Sequence, residues 1–205
     1  MLRRAIVIGG SCFHQNLLQT HNAKFARFFN EVIYLPNLHR YDLKNYDCVF
    51  LASRLNPKFL KLNSQKLLDY LEYGGNLAIL GGVEEEYLPY ITYKENEVNF
   101  WWWIHKGADL PLFAFDIEHT FWKFLSLKEC KWHYHGTFEV KEECQRILIN
   151  EIGETILYKD DFHFKGNLYL SALDPDFHIG QGFMPITLPF FEKYILWIEY
   201  DILKG

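Results

Sequence analysis

In YLEYGGNLAILGG, residues 70–82, a helical apolar face gives way at two glycines to an unbroken apolar run. Upstream, Phe59, Leu60, Leu67, Leu68 and Leu71 fall at helical spacing between Pro57 and Tyr73. Gly74-Gly75 closes that helix. The segment Asn76 to Gly82 has no polar face to turn to water, which predicts a strand buried on both sides, as in a parallel sheet. AIVIG (5–9), EVIYLP (31–36) and DCVFLAS (47–53) repeat the pattern. Between the first two, Phe13, Leu17, Leu18, Phe25 and Phe28 predict a helix after a glycine turn. Strand, helix, strand, strand, helix, strand with short links predicts a flavodoxin-like, doubly wound α/β fold with a mainly parallel sheet flanked by helices.

The chain has 205 residues, 49% hydrophobic, 18% aromatic and 23% charged. That length suits one domain over residues 1–205 with a single core rich in Phe and Tyr. With a net charge of -5 and scattered Lys and Arg, nothing gathers nucleic acid. The apolar run near the N-terminus is too short for a signal-peptide core, and no stretch approaches the ~20 residues of a membrane span. Cys12, Cys48, Cys130 and Cys144 lack any CxxC spacing. The expectation is a cytoplasmic protein with reduced thiols and neither a nucleic-acid nor a membrane partner.

After Gly82 the pattern changes. Residues 98–116 are aromatic and irregular, and DIEHTFWKFLSL from Asp116 reads as a short helix. From Lys131 the period becomes two: KWHYHGTFEV, QRILINEIG, ETILYKDD and GNLYLSALD predict extra C-terminal strands, with a hairpin turn around Gly153. PITLPFFEKYILWIEYDIL reads as a closing helix.

The order YDCVFLAS, LLDYLEYGGNLAILGG, then GNLYLSALDPDFHIGQGFMP before a helix resembles the class I glutamine amidotransferase-like superfamily, and within it the ThuA-like (trehalose utilisation) branch. The resemblance implies a flavodoxin-like α/β fold. Amidotransferases of this superfamily carry a nucleophilic cysteine in the turn after the strand that here is Asn76 to Leu80. This chain has Gly81 and Gly82 there and no cysteine, so that route to amide hydrolysis lacks its nucleophile. For the ThuA-like branch the resemblance implies a carbohydrate-linked or ligand-binding role.

In open α/β sheets, ligands settle outside the carboxyl ends of the strands. The loops expected there are Gly9 to Gln15, Ser53 to Asn56, Gly81 to Glu86 and Asp174 to Gly182. Ser11 and His14 in the first, and Glu84 in the third, are candidate ligand-binding residues; Ser11 reads equally as a helix cap, and a run such as 84–86 as a solvated face. In DPDFHIGQGFMP, read as a loop, Asp174, Asp176 and His178 are candidates for chemistry, or Asp174 merely starts an Asx turn.

In WHYHG, His133 and His135 share one face if the segment is a strand. They could hold a divalent metal with a carboxylate such as Asp174, Asp176 or Glu118, hydrogen-bond a small polar ligand, or form a structural pair. The candidate catalytic set is therefore His133, His135, Asp174 and His178, with His133, His135 and Asp174 as candidate metal ligands. No cofactor is firmly implied beyond that divalent ion, and the residues leave open whether the chain is an enzyme. The Trp101 to Trp103 run cannot bury all its rings on one face. Trp102 is a candidate stacking residue for a sugar, or the run is a lid or a homo-oligomer face, the basis of an alternative reading as a non-catalytic assembly module. Hydrolysis through Cys12 and His14 is the weakest option, because residues i and i+2 seldom face each other at a helix start.

Overall fold

The structure, a computed structural model, describes residues 2–83, 85–97 and 102–205. Glu84 and Trp101, and the Trp103 side chain, lie outside what is described. The first half runs β1 (Arg4–Ile8), α1 (Cys12–Leu18), β2 (Glu31–Tyr34), β3 (Cys48–Leu51), α2 (Pro57–Leu62), α3 (Ser64–Tyr73) and β4 (Asn76–Leu80). The second runs β5 (Thr92–Glu95), β6 (Leu112–Ala114), α4 (Leu127–Cys130), β7 (Gly136–Glu139), β8 (Gln145–Asn150), β9 (Thr155–Asp160), β10 (Leu168–Ser171), α5 (Pro175–Gln181) and α6 (Thr187–Lys204).

Strands β2-β1-β3-β4-β10 lie side by side and parallel, with β1 between β2 and β3 as in a doubly wound sheet. β9 then runs antiparallel to β10 and leads on to β7 and β5, while β8 also pairs with β9 and β6 with β8. β1, β3, β4 and β10 are buried along their whole length, as helices on both faces require. α6 closes the core with Phe190, Phe191, Tyr194, Ile195, Trp197 and Ile198. Each such apolar side chain contributes roughly 1.5–3 kcal/mol by leaving water. Among the described residues no helix is long and apolar enough to cross a membrane.

Three local expectations are corrected. The helix after β1 stops at Leu18, and Phe25 and Phe28 belong to a separate turn, with a 3-10 segment at Ala26–Phe28. The region after Asp116 holds a 3-10 turn, Thr120–Lys123, and the single turn of α4. Residues 132–135 are not strand; pairing starts only at Gly136, opposite Glu95.

The correction that matters most for the site is that DPDFHIGQ is helix α5 rather than a loop. Pro175 occupies its first turn, where proline's missing N–H costs nothing, and Gly182 ends it at φ +81. α5 packs on α1 so closely that a Cβ on Gly180 would stand 2.2 Å from the Phe13 carbonyl oxygen. Only glycine allows that approach.

Candidate functional site

The carboxyl ends of β3, β4 and β10 deliver Ser53 and Arg54, Gly81, and Asp174 to one place. Gly81 sits at φ +76, donates its N–H to Leu173 at 3.0 Å, and a Cβ there would meet the Ser53 Cβ at 2.9 Å and the Asp174 Cβ at 3.4 Å. α5 brings Asp176 and His178, and the segment before β7 brings His133 and His135.

These converge on Asp174. His178 Nε2 lies 2.8 Å from His133 Nε2 and 3.1 Å from Asp174 Oδ1, while His135 Nε2 lies 3.4 Å from Asp174 Oδ2. One ligand atom from each of His133, His135, Asp174 and His178 fits within a 4.8 Å set. The Arg54 guanidinium donates to Asp174 Oδ2 at 3.1 Å and lies 3.8 Å over the Phe177 ring. Trp132, fully buried, sets its ring edge-to-face against His133 and His178. That packing fixes both imidazoles.

Burial opposes ionisation of Asp174, but the imidazoles of His135 and His178 outweigh it and hold the carboxyl below the usual carboxylate range. His133 is pulled down to about 4 by burial and then by its neighbour His178, so it is a neutral imidazole near pH 7. A neutral imidazole beside an ionised carboxylate is the protonation state that a divalent cation requires.

Beneath this set lies a second buried layer. Asp176 Oδ2 accepts from the Ser53 N–H at 2.9 Å and the Ser53 hydroxyl at 3.0 Å, and stands 3.9 Å from His14 Nε2. Burial and then the Asp174 charge push Asp176 up to about 7, and burial pulls His14 down to about 4. His14 accepts from the Gly9 N–H through Nδ1 and has no exposed surface, so it supports the floor of the site and does not face a ligand.

Ser11 starts α1 without a side-chain cap and lines a neighbouring cleft that shares Arg54. Glu118 is exposed in a turn and takes no place in the metal-ligand set. Trp102 lines a cavity of about 770 Å³ with Trp132, Phe183 and Ile186, one wall of which is His133. A polar pocket of about 120 Å³ lies on the other side, between Ser53, Arg54, Gly81, Tyr93, His135 and Asp174. Sequence reasoning missed Arg54 as a site residue, although the Ser53 to Asn56 loop was placed at a strand carboxyl end. Its signal is a non-glycine residue at φ +55, which only the folded chain displays.

Neither a known protein family nor any curated protein matches the sequence. Solved structures match the fold. A glutamine amidotransferase from Thermotoga maritima superposes with a TM-score of 0.50 at 12% identity, over 99% of this chain and 84% of that one. The exo-β-1,4-mannosidase Op5Man5 from Opitutaceae bacterium strain TAV5 superposes with a TM-score of 0.52 at 7% identity, over 98% of this chain but 36% of that one. In the present chain Cys12 is exposed at the start of α1, and Cys48, Cys130 and Cys144 are buried elsewhere, so none stands at the turn after β4. With β2-β1-β3-β4-β10 parallel and helices on both faces, the chain has a glutamine amidotransferase-like, flavodoxin-type α/β fold.

Proposed function

We propose that this protein binds one divalent metal ion through His133, His135, Asp174 and His178 and uses that centre to bind and act on a small polar, carbohydrate-like molecule. The observation that carries the reading is the contact of His178 Nε2 with both His133 Nε2 and Asp174 Oδ1. Asp174 Oδ1 is buried and, among the described residues, makes no aligned hydrogen bond despite that 3.1 Å approach. One imidazole nitrogen within contact distance of both a second imidazole and a carboxylate oxygen is an arrangement that a shared ion could bridge. At bond lengths of about 2.1 Å, one ion could span both separations, 2.8 and 3.1 Å, and so be held by His133, His178 and Asp174 together.

Imidazole donors with one carboxylate suit ions such as Zn²⁺, Fe²⁺ or Ni²⁺. An ion held there supplies Lewis acidity and lowers the pKa of a bound water. The chain's own residues do the rest. Arg54 presents a cation to the 120 Å³ pocket, Tyr93 and Ser53 line it, and Glu95 stands at its edge. That volume is well below the ~300–1,000 Å³ of sites for drug-sized ligands, so it seats a group the size of one sugar ring or a small acid. The Tyr70 to Gly82 phrase and its ThuA-like resemblance support the carbohydrate class.

The test is metal analysis with thermal shift in Zn²⁺, Mn²⁺ and Ni²⁺, on wild type and on His133→Ala/His178→Ala. The double variant should lose one equivalent of metal and the associated stabilisation. A wild type that neither retains nor is stabilised by any of the three ions would overturn the reading.

A further inference from the structure

A second cluster of donor atoms lies at the opposite end of the strands. Asp160 ends β9 and pairs with Leu168 at the start of β10, whereas Asp174 follows the other end of that strand. Asp160 Oδ1 accepts from the backbone N–H groups of Phe162 and His163, each at 3.0 Å, so the turn aims the other oxygen, Oδ2. His163 Nδ1 lies 2.8 Å from Oδ2 and 3.9 Å from the sulfur of Cys144, the residue leading into β8. The sulfur, the imidazole nitrogen and a carboxylate oxygen all fall within 4.8 Å of one another.

The arrangement is not a nucleophile with its base. In a catalytic triad the histidine meets its two partners through different nitrogens, whereas here one nitrogen, Nδ1, faces both the thiol and the carboxylate. Nor does Cys144 have a disulfide partner, since all four cysteines are free. Three different donors converging on one point suit an ion that accepts S, N and O together. Taking bonds of about 2.3 Å to sulfur and 2.0–2.1 Å to nitrogen and oxygen, the two measured separations subtend about 125° and 85°, on either side of the tetrahedral angle.

The ligands are also held in place. Tyr90 stacks on the His163 ring at 4.2 Å with planes 15° apart, and the Asp160 turn fixes the carboxylate. Such outer contacts orient metal ligands. Asp160 and Cys144 are buried, while His163 keeps a solvent-facing edge through which a water can complete the set.

From this geometry we infer that Cys144, Asp160 and His163 form a second metal site, for a borderline-soft divalent ion of the zinc class with one open position. Binding there exchanges the Cys144 S–H proton for the ion and releases that proton to solvent. It ties the 161–167 loop to the start of β8. The inference does not depend on the His133 centre, which contains no sulfur.

Co²⁺ tests it, because a thiolate ligand gives an intense near-ultraviolet charge-transfer band that imidazole and carboxylate do not. A Cys12→Ser background removes the exposed thiol. In that background Co²⁺ should raise the band, and with His133→Ala/His178→Ala added the band should keep its height and saturate at one equivalent. Adding Cys144→Ser should abolish it, and His163→Gln should weaken Co²⁺ binding at least tenfold; the second variant serves if the first folds poorly. Absence of the band from the folded Cys12→Ser protein at saturating Co²⁺, or its persistence in Cys144→Ser, overturns the site.

Discussion

His133 and His178 stand 45 residues apart in sequence, yet their Nε2 atoms lie 2.8 Å apart in a buried setting. Without an ion, one nitrogen must donate to the other; with one, both lone pairs face it. His178→Ala should therefore weaken Zn²⁺ binding by more than about 100-fold, beyond the 10–100-fold typical of residues outside the ligand set. Calorimetric titration measures this. His178→Asn, which can satisfy His133 by hydrogen bonding, separates the two roles: equal Zn²⁺ affinity in wild type and the Asn variant would leave His178 a purely structural partner.

Arg54 touches Asp174 but belongs to the pocket wall, with its guanidinium stacked on Phe177. Replacing it by alanine removes the pocket's cation while keeping all four proposed ligands. Arg54→Ala is expected to bind metal within a few fold of wild type and to lose most affinity for a small acid or sugar acid. Arg54→Lys should recover only part, because lysine lacks the planar fork that stacks and donates together. Parallel titrations of metal and of the ligand series decide it; a fall in metal affinity as large as that in ligand affinity would contradict the division.

The position of α5 depends on its closeness to α1. A methyl group on Gly180 would stand 2.2 Å from the Phe13 carbonyl oxygen, with backbone and not a flexible side chain in the way. Gly180→Ala must push the two helices apart, at a cost of about 1–3 kcal/mol as for other overpacked sites. Since α5 carries Asp176 and His178, the thermal midpoint and the metal affinity should fall together. Loss of stability alone, with unchanged metal affinity, would show that the site does not rely on this packing.

The parallel half of the fold was legible because β1, β3 and β4 are buried on both faces and so carry unbroken apolar runs that polar loops interrupt. The site was legible residue by residue more than in its geometry. His133, His135, Asp174 and His178 were all singled out, but on the premise of a strand and a loop where the chain forms an irregular segment and a helix. Asp174-Pro175 followed by Gly182 is a helix start and stop signature; the density of Gly and Pro masked it. Arg54 and the pairing of Asp160 with Cys144 were not legible at all. Those contacts join positions that only strand order brings together: β9 and its hairpin with β8 are read from the period-two pattern and the turn around Gly153, but the pairing of β9 with β10 and β7 has no counterpart in a local pattern.

Two buried thiols contribute to the response to alkali. Burial raises Cys48 and Cys130 well above the ordinary thiol range, Cys48 lying within β3 and Cys130 at the end of α4. In the unfolded chain each ionises near pH 8.5, so above that value the native state holds a proton that the unfolded state has lost. A raised folded pKa gives stability that is present below the unfolded pKa and is lost as pH rises toward the folded one. Stability should therefore fall between about pH 8.5 and 10, approaching about 1.4 kcal/mol per pH unit for each buried thiol. Cys130→Ala removes one of these thiols along with a weak S–H contact to the Ser126 carbonyl at 3.6 Å. Urea denaturation at pH 7, 9 and 10 should show a shallower decline in Cys130→Ala than in wild type, with the difference widening toward pH 10; parallel declines would mean that Cys130 is not held as a protonated thiol in the native core.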